Sequence, residues 1–326
     1  MAGYKALQQK IMAAFTLPPK GSGIAAAVSG GCDSVAMLLL LREWCKIRRV
    51  SLCVFHVDHA LRASSSEDCR RVEELATRLG LKFFWRRAAE SDLLQNRGDG
   101  VEAWARRFRY SAFAAMQAES GADIIATGHT ADDQAETIVM RMLRGCSLQG
   151  LRGIGSRCSM HAGDKVLKIW RPILTAARCD LEKYLKELGQ QWLEDETNQT
   201  DLFFRNRIRH HVIPLLNEIQ PGSLAHIIDL GNDIESVQAF LRLRAAKFLK
   251  KFRCDAVLEV SKIPVSCLRR EVLRQWLIEL GLAEHSTRSL VGRIDDLWVK
   301  KCNGRFVDHR KFRFTRLNGR IFFAAA

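Results

Sequence analysis

The short apolar run Ile24-Ala25-Ala26-Ala27-Val28 breaks abruptly into Ser29-Gly30-Gly31-Cys32-Asp33-Ser34, then resumes as the helical pattern Val35 to Leu41. This junction constrains the fold more than any other stretch of the chain. A run so short and so apolar reads as a strand buried on both faces of a parallel sheet. The small residues after it let backbone N–H groups converge just ahead of a helix N-terminus, whose dipole end is positive. Such a junction cradles an anion of phosphate type. It is not the other common phosphate loop: no Gly-x-x-x-x-Gly-Lys-Ser/Thr occurs and the loop holds no lysine.

Three more apolar runs, at 50–55, 82–85 and 122–126, read as buried parallel strands. Helical patterns lie near 34–47, 67–80, 101–119 and 131–143. Strand alternating with helix predicts an α/β fold with an open, Rossmann-like parallel sheet, helices on both faces and ligands at the carboxyl ends of the strands. A glycine-rich connection at 145–158 leads to a further strand at 166–171 and a helix at 176–188. Pro221-Gly222 breaks the chain before a long helical pattern over 224–252. The expected domains are therefore 1–222, a helical linker over 223–254, and a small α/β unit over 255–326.

Charge points to a polyanionic partner. The 326-residue chain carries a net charge of +15. From Arg242 onward there are 20 Lys and Arg against 8 Asp and Glu, a local net of +12. A small anionic substrate does not need a basic tail so far in sequence from the cradle, whereas a nucleic acid does. No apolar run approaches the length that spans a bilayer, so no membrane partner is expected. The 10 cysteines form no Cys-x-x-Cys, which suits reduced thiols and a cytoplasmic setting.

Polar clusters follow two other strands. His56-Val57-Asp58-His59-Ala60-Leu61-Arg62 comes after 50–55, where strand ends line the ligand crevice. Gly128-His129-Thr130-Ala131-Asp132-Asp133-Gln134-Ala135-Glu136 comes after 122–126. With Thr130 as N-cap, Asp133 and Glu136 stand three apart on one helix face. Acids in a first turn offset the helix dipole, but this accounts for one carboxylate rather than three. Clustered carboxylates beside a phosphate cradle suit Mg²⁺ or a cationic substrate. Further on, Trp192, Asp195, Thr197 and Asn198 fall in a polar turn, and Arg205-Asn206-Arg207-Ile208-Arg209-His210 opens a basic stretch.

The order SGGCDS, HVDHALR, GVEAWARRFRY, ATGHTADDQAET, RGCSLQGLRGI, RPIL, WLEDETN and RNRIRH resembles the tRNA(Ile)-lysidine synthetase family of the PP-loop ATP pyrophosphatases. The match is dense over about residues 20–215. It implies a PP-loop ATP-binding catalytic domain, a helical linker and a small basic tRNA-binding domain. It implies ATP and Mg²⁺ as cofactors, with L-lysine and the CAU-anticodon isoleucine tRNA as partners; a homodimer is left open. In the implied reaction, ATP adenylates the wobble cytidine at its C2 oxygen, and the lysine ε-amine then displaces AMP. The pyrophosphate loop maps onto Ser29, Gly30, Gly31, Cys32, Asp33 and Ser34, with His56 close to the nucleotide and Asp33 as the Mg²⁺ carboxylate. Asp133 and Glu136 would hold the lysine ammonium and His129 would carry a proton. Arg106, Arg109, Arg205 and Arg207 remain unranked candidates for stabilising phosphate charge. A thiolase or a small-molecule amide synthetase using the same loop is the alternative.

Two positions depart from the family pattern: Cys146-Ser147 stands where Ser-Gly is usual, and Thr197 where Ser is usual. Near the C-terminus, Lys311-Phe312-Arg313-Phe314-Thr315 alternates, which places phenylalanines on one strand face and cations on the other. Those cations are expected to meet tRNA phosphates.

Overall fold

The computed structural model describes residues 3–15, 23–61, 65–89, 100–194, 201, 203–259, 265–282, 285–300 and 303–325. Arg62, Asp195, Thr197 and Asn198 lie outside the described residues. The chain separates into two compact units, one of residues 1–140 with 153–228, the other of 141–152 with 229–326.

The first unit is built on a six-stranded sheet. Its strands are β1 (Ile24–Ala27), β2 (Leu52–Asp58), β3 (Lys82–Arg87), β4 (Ile124–Thr127), β5 (Arg157–Ala162) and β6 (Lys165–Trp170). The order is β3-β2-β1-β4-β6-β5. Every pairing is parallel except β5 with β6, which is antiparallel. Strand order turns back between β1 and β4, and the two are in register from Ile24 opposite Ile124 to Ala27 opposite Thr127. Such a switch point opens a crevice beyond the strand ends. The alanines of β1 are explained by its place: Ala25 and Ala26 are fully buried, with helices close on both faces.

Helices α1 (Gly3–Ala13), α2 (Cys32–Arg48), α3 (Ser65–Arg78), α4 (Val101–Ser120) and α5 (Ala131–Leu143) precede the β5–β6 hairpin, and α6 (Arg178–Glu187) follows it. One core joins Ile24, Ala26 and Val54 of the sheet to Leu38 and Leu41 of α2 and to Leu181 and Leu185 of α6. The other joins Ala25, Phe55 and Ile125 to Phe113 and Met116 of α4. Helices therefore cover both faces, as an open parallel sheet requires.

The second unit has its own core. Ala245 and Leu249 late in the helix Ser223–Phe252 pack with Trp276, Leu277, Ile294, Trp298, Phe314 and Ile321. The last turns of the expected linker helix are thus part of this unit's core. Five short strands pair antiparallel, and two helices, Ser266–Glu279 and Arg288–Val299, complete the unit. Phe314 is fully buried and Arg313 exposed, matching the alternation. Arg313, however, is held by Asp308 at 2.7 and 2.8 Å and lies over the Phe306 ring, and Lys311 sits in the turn before the strand.

Candidate active site

The cradle is closed by its own serines and by a distant residue. The Ser34 hydroxyl donates to the Gly31 carbonyl at 2.9 Å and accepts from the Ser29 N–H at 3.2 Å. Gly30 has φ +94°, a left-handed conformation that disfavours a side chain, and a Cβ there would run into the Leu193 side chain. The Leu193 N–H donates to the Gly30 carbonyl at 2.9 Å, so Leu193 clamps the loop from behind. Cys32 contributes its backbone alone. Its side chain lies in the core, and burial pushes the thiol up to about 12.

Asp33 stands in the first turn of α2 beside this loop. Burial pushes its carboxyl up to about 6, against the pull of Arg178 and with the added repulsion of Asp133 and Asp132. Arg178 Nη1 lies 3.5 Å from Asp33 Oδ2, while the buried Asp33 Oδ1 has no hydrogen-bond partner. An orphaned carboxylate oxygen at a phosphate cradle fits Mg²⁺, which is commonly held by one or two carboxylates together with substrate phosphates. Among the described residues no group of three or more metal-ligating side chains forms a site by itself.

The opposite wall begins at the end of β4. A Cβ on Gly128 would sit 3.2 Å from the backbone of Asp33 and Ser34, so glycine there lets the two strand-end loops touch. Thr130 caps α5: its hydroxyl accepts the Asp133 N–H at 3.4 Å, and its own N–H and hydroxyl donate to Asp133 Oδ2 at 2.8 and 3.2 Å. Asp132 turns away and accepts the Arg178 N–H at 2.8 Å, which fixes the start of α6. Asp133 Oδ1 and the buried Glu136 then present an acidic face, as the three-residue spacing predicts.

Two arginines cover that face. Arg205 reaches Asp133 at 2.7 Å and Glu136 at 2.8 Å. Arg209 reaches Glu136 at 2.6 and 3.2 Å and lies 3.6 Å from Asp133. Arg207, between them in sequence, is exposed and points elsewhere. The helix widens here: the Ile213 N–H donates to the carbonyl of Ile208, five residues back. Such π-helical turns are rare and concentrate at functional sites.

The histidines are kept neutral. His56 is buried with Nδ1 on the Val28 carbonyl at 2.8 Å, and desolvation lowers its pKa. It therefore braces the strand leading into the cradle. His129 pairs Nδ1 with the Thr127 hydroxyl at 3.0 Å, and burial brings it down to about 4. His59 falls to about 4 as well, through burial and the nearby Arg109, and packs against Trp104 and Phe108. Arg109 is within electrostatic reach of both His59 and His129. Arg106 is exposed and lies over the Tyr110 ring at 5.1 Å.

Reading the sequence alone missed Arg178 and Arg209 as site residues. Arg209 carried a usable signal, since it stands four residues after Arg205 and so on the same helix face. Arg178 carried none, because only the packing of α6 brings it to Asp33.

A strand-end phosphate cradle at a switch point, faced by carboxylates, defines a nucleotide-binding α/β protein. The chain belongs to the PP-loop domain family, an ATP-binding family whose model matches residues 4–216. A tRNA(Ile)-lysidine synthase of Thermus thermophilus is 38% identical over 264 residues, 78% of this chain and 48% of that protein. Its counterpart in Coxiella burnetii is 31% identical over 286 residues, 86% of this chain and 61% of that protein. That of Dehalococcoides mccartyi is 33% identical over 302 residues, 88% and 63% respectively. The chain thus spans about half to somewhat under two thirds of these curated relatives' length. Among solved structures, the U34-tRNA thiolase NcsA of Methanococcus maripaludis superposes with a TM-score of 0.59 at 18% identity, over 71% of this chain and 79% of that one. That likeness is one of fold. No described helix is long and apolar enough to cross a membrane.

Proposed function

We propose that the protein ligates L-lysine to C2 of the wobble cytidine in the CAU-anticodon isoleucine tRNA, consuming ATP and releasing AMP and pyrophosphate. One observation carries this reading: a phosphate cradle and a carboxylate pair, Glu136 buried and Asp133 partly so, meet in one crevice, with Gly128 against the backbone of Asp33 and Ser34. An amine nucleophile needs the second as surely as ATP needs the first.

In the first step the cytidine C2 oxygen attacks the α-phosphorus, a P–O bond forms and pyrophosphate leaves. The loop Ser29 to Ser34 holds the departing pyrophosphate through the backbone N–H groups of its glycines and of the first turn of α2, while the Ser29 N–H and the Ser34 hydroxyl brace the loop itself. Asp33 would hold Mg²⁺ there, and the ion would supply further neutralisation of phosphate charge. Arg178, already against Asp33, is placed to stabilise phosphate charge. In the second step the lysine ε-amine, relieved of a proton, attacks C2, and the former C2 oxygen leaves with AMP. Asp133 and Glu136 bind the ammonium and orient it. His129, neutral and weakly basic, acts as a proton relay. The buried Cys32 thiol argues against sulfur transfer at this loop. The basic second unit grips the tRNA body, and the enzyme works in the cytoplasm.

The test is direct. Labelled lysine is incubated with a CAU-anticodon transcript, ATP and Mg²⁺. Label should enter the tRNA only when ATP is present. Label that never enters, with Asp133→Ala indistinguishable from the wild type, overturns the reading.

A further inference from the structure

The carboxylates that would receive lysine are already occupied. Asp133 and Glu136 carry two negative charges, and Arg205 and Arg209 bring two positive ones to 2.6–3.6 Å. The face is therefore electrically closed. Adding an ammonium to it would leave one uncompensated cation in a partly buried site, since Glu136 is only 2% exposed. Lysine needs one of the guanidinium groups to leave first.

Charge nearby offers the arginine a destination. Arg209 lies within electrostatic reach of Asp33 at the cradle, and Arg178, bound to Asp33, bears on Arg209 in turn. The polyphosphate of ATP would sit in this region, and guanidinium binds phosphate in the same two-point manner as carboxylate. Arg209 is borne on the widened turn Ile208–Val212, where the regular helical ladder is already interrupted.

We infer that Arg205 and Arg209 act as stand-ins for the lysine ammonium, and that nucleotide phosphate draws Arg209 off Glu136 to open the amine site. Binding is thereby ordered, nucleotide before lysine. Arg209 is in this respect a positioning residue, acting through the carboxylate it covers. The inference rests on the proposed lysine-ligating function and gives the acid face its regulation. Linkage demands that lysine tighten nucleotide binding by the same factor by which nucleotide tightens lysine binding.

The experiment measures lysine affinity by equilibrium dialysis, with and without a non-hydrolysable ATP analogue and Mg²⁺. The variants are Arg209→Gln and Arg209→Lys, the second keeping a cation where loss of charge would harm folding. In the wild type the analogue should tighten lysine binding by about 10-fold or more, and lysine should tighten analogue binding equally, the scale of ordinary coupling between sites. Arg209→Gln should bind lysine without nucleotide and lose most of the ratio; Arg209→Lys should fall between. A wild-type ratio near one, or a ratio unchanged in both variants, overturns the inference. Incorporation of label into the CAU transcript separates the two failures. Incorporation with nucleotide-independent lysine binding defeats only the ordered exchange. Absence of both incorporation and lysine binding defeats the ligation itself.

Discussion

Both units bury acidic side chains, but they use them differently. In the second unit Asp295 gives one oxygen to Arg269 at 2.9 Å and the other to Arg270 at 3.2 Å. Glu271 likewise divides its oxygens between Arg274 and Gln275. Both carboxylates are fully engaged, and nothing is left for a ligand. In the first unit Asp33 keeps a buried oxygen without a partner and is pushed up to about 6. Glu136 is engaged by Arg205 and by Arg209, the latter borne on the widened turn. Buried charge that is fully satisfied by its neighbours holds a fold together; a buried carboxylate oxygen left without a partner, as at Asp33, is open to something that binds.

Substitutions can break this contrast. The largest effect is expected for Asp133→Ala, which removes a carboxylate of the proposed amine site and should lower lysine incorporation by roughly 10²–10³-fold, as loss of a transition-state contact does. Initial rates on the CAU transcript measure it. Asp295→Ala should do the reverse, sparing turnover at low temperature while destabilising the protein by about 3–5 kcal/mol through its stranded partner Arg269. Urea unfolding reads that loss, and an unchanged midpoint would put Asp295 in the poised class instead.

Asp33→Asn should abolish turnover yet raise stability at neutral pH. The folded-state value of about 6 lies above the ordinary 3.8, so folding disfavours the ionised form. The stability lost to this appears as pH rises from about 4 through 6 and persists above it. The gap between the two values sets an upper bound of about 3 kcal/mol, and partial exposure makes about 1–3 kcal/mol the expected gain at about pH 7.5. A stability difference that did not shrink toward pH 4 would contradict the assignment.

Arg178→Ala should move the acid limb of the rate profile. The proposed role of Asp33 requires its ionised form, and Arg178 lowers its pKa, so removing the arginine should shift the limb upward by about one pH unit. The smallest effect is expected in the second unit. Because Asp308 already engages Arg313, the pair Lys311→Ala plus Arg313→Ala should reduce the salt dependence of tRNA binding by about one phosphate contact rather than two. Affinity independent of both residues at low salt would remove this strand from the tRNA surface.

Much of the first unit was legible because its signals are local. The apolar runs at 24–28, 50–55 and 122–126 became the inner strands β1, β2 and β4, which pack on both faces; the run at 82–85 became β3, parallel as expected but at the sheet edge and not buried. Thr130 and Asp133 marked the start of α5 through a capping pattern three residues long. Strand β5 was hidden among glycines, although Cys158, Met160 and Ala162 alternate correctly; its other residues are polar because it is the sheet's edge.

The limits of local reading are clearest around the acids. Spacing along α5 was enough to put Asp133 and Glu136 on one face, and spacing along the next basic stretch pairs Arg205 with Arg209 rather than Arg207. That these two faces meet depends on contacts between distant parts of the chain, at separations of 69 and 73 residues between Glu136 and its arginines. By itself the sequence determined the cradle, the capped acid helix and the basic second unit, because backbone geometry, helical period and net charge are short-range properties. Only the tertiary structure decided that Arg178 would stand on Asp33, that Leu193 would clamp Gly30, and that the acidic face of Asp133 and Glu136 would be closed by guanidinium groups. Those facts come from burial and packing between distant segments, which no local pattern encodes.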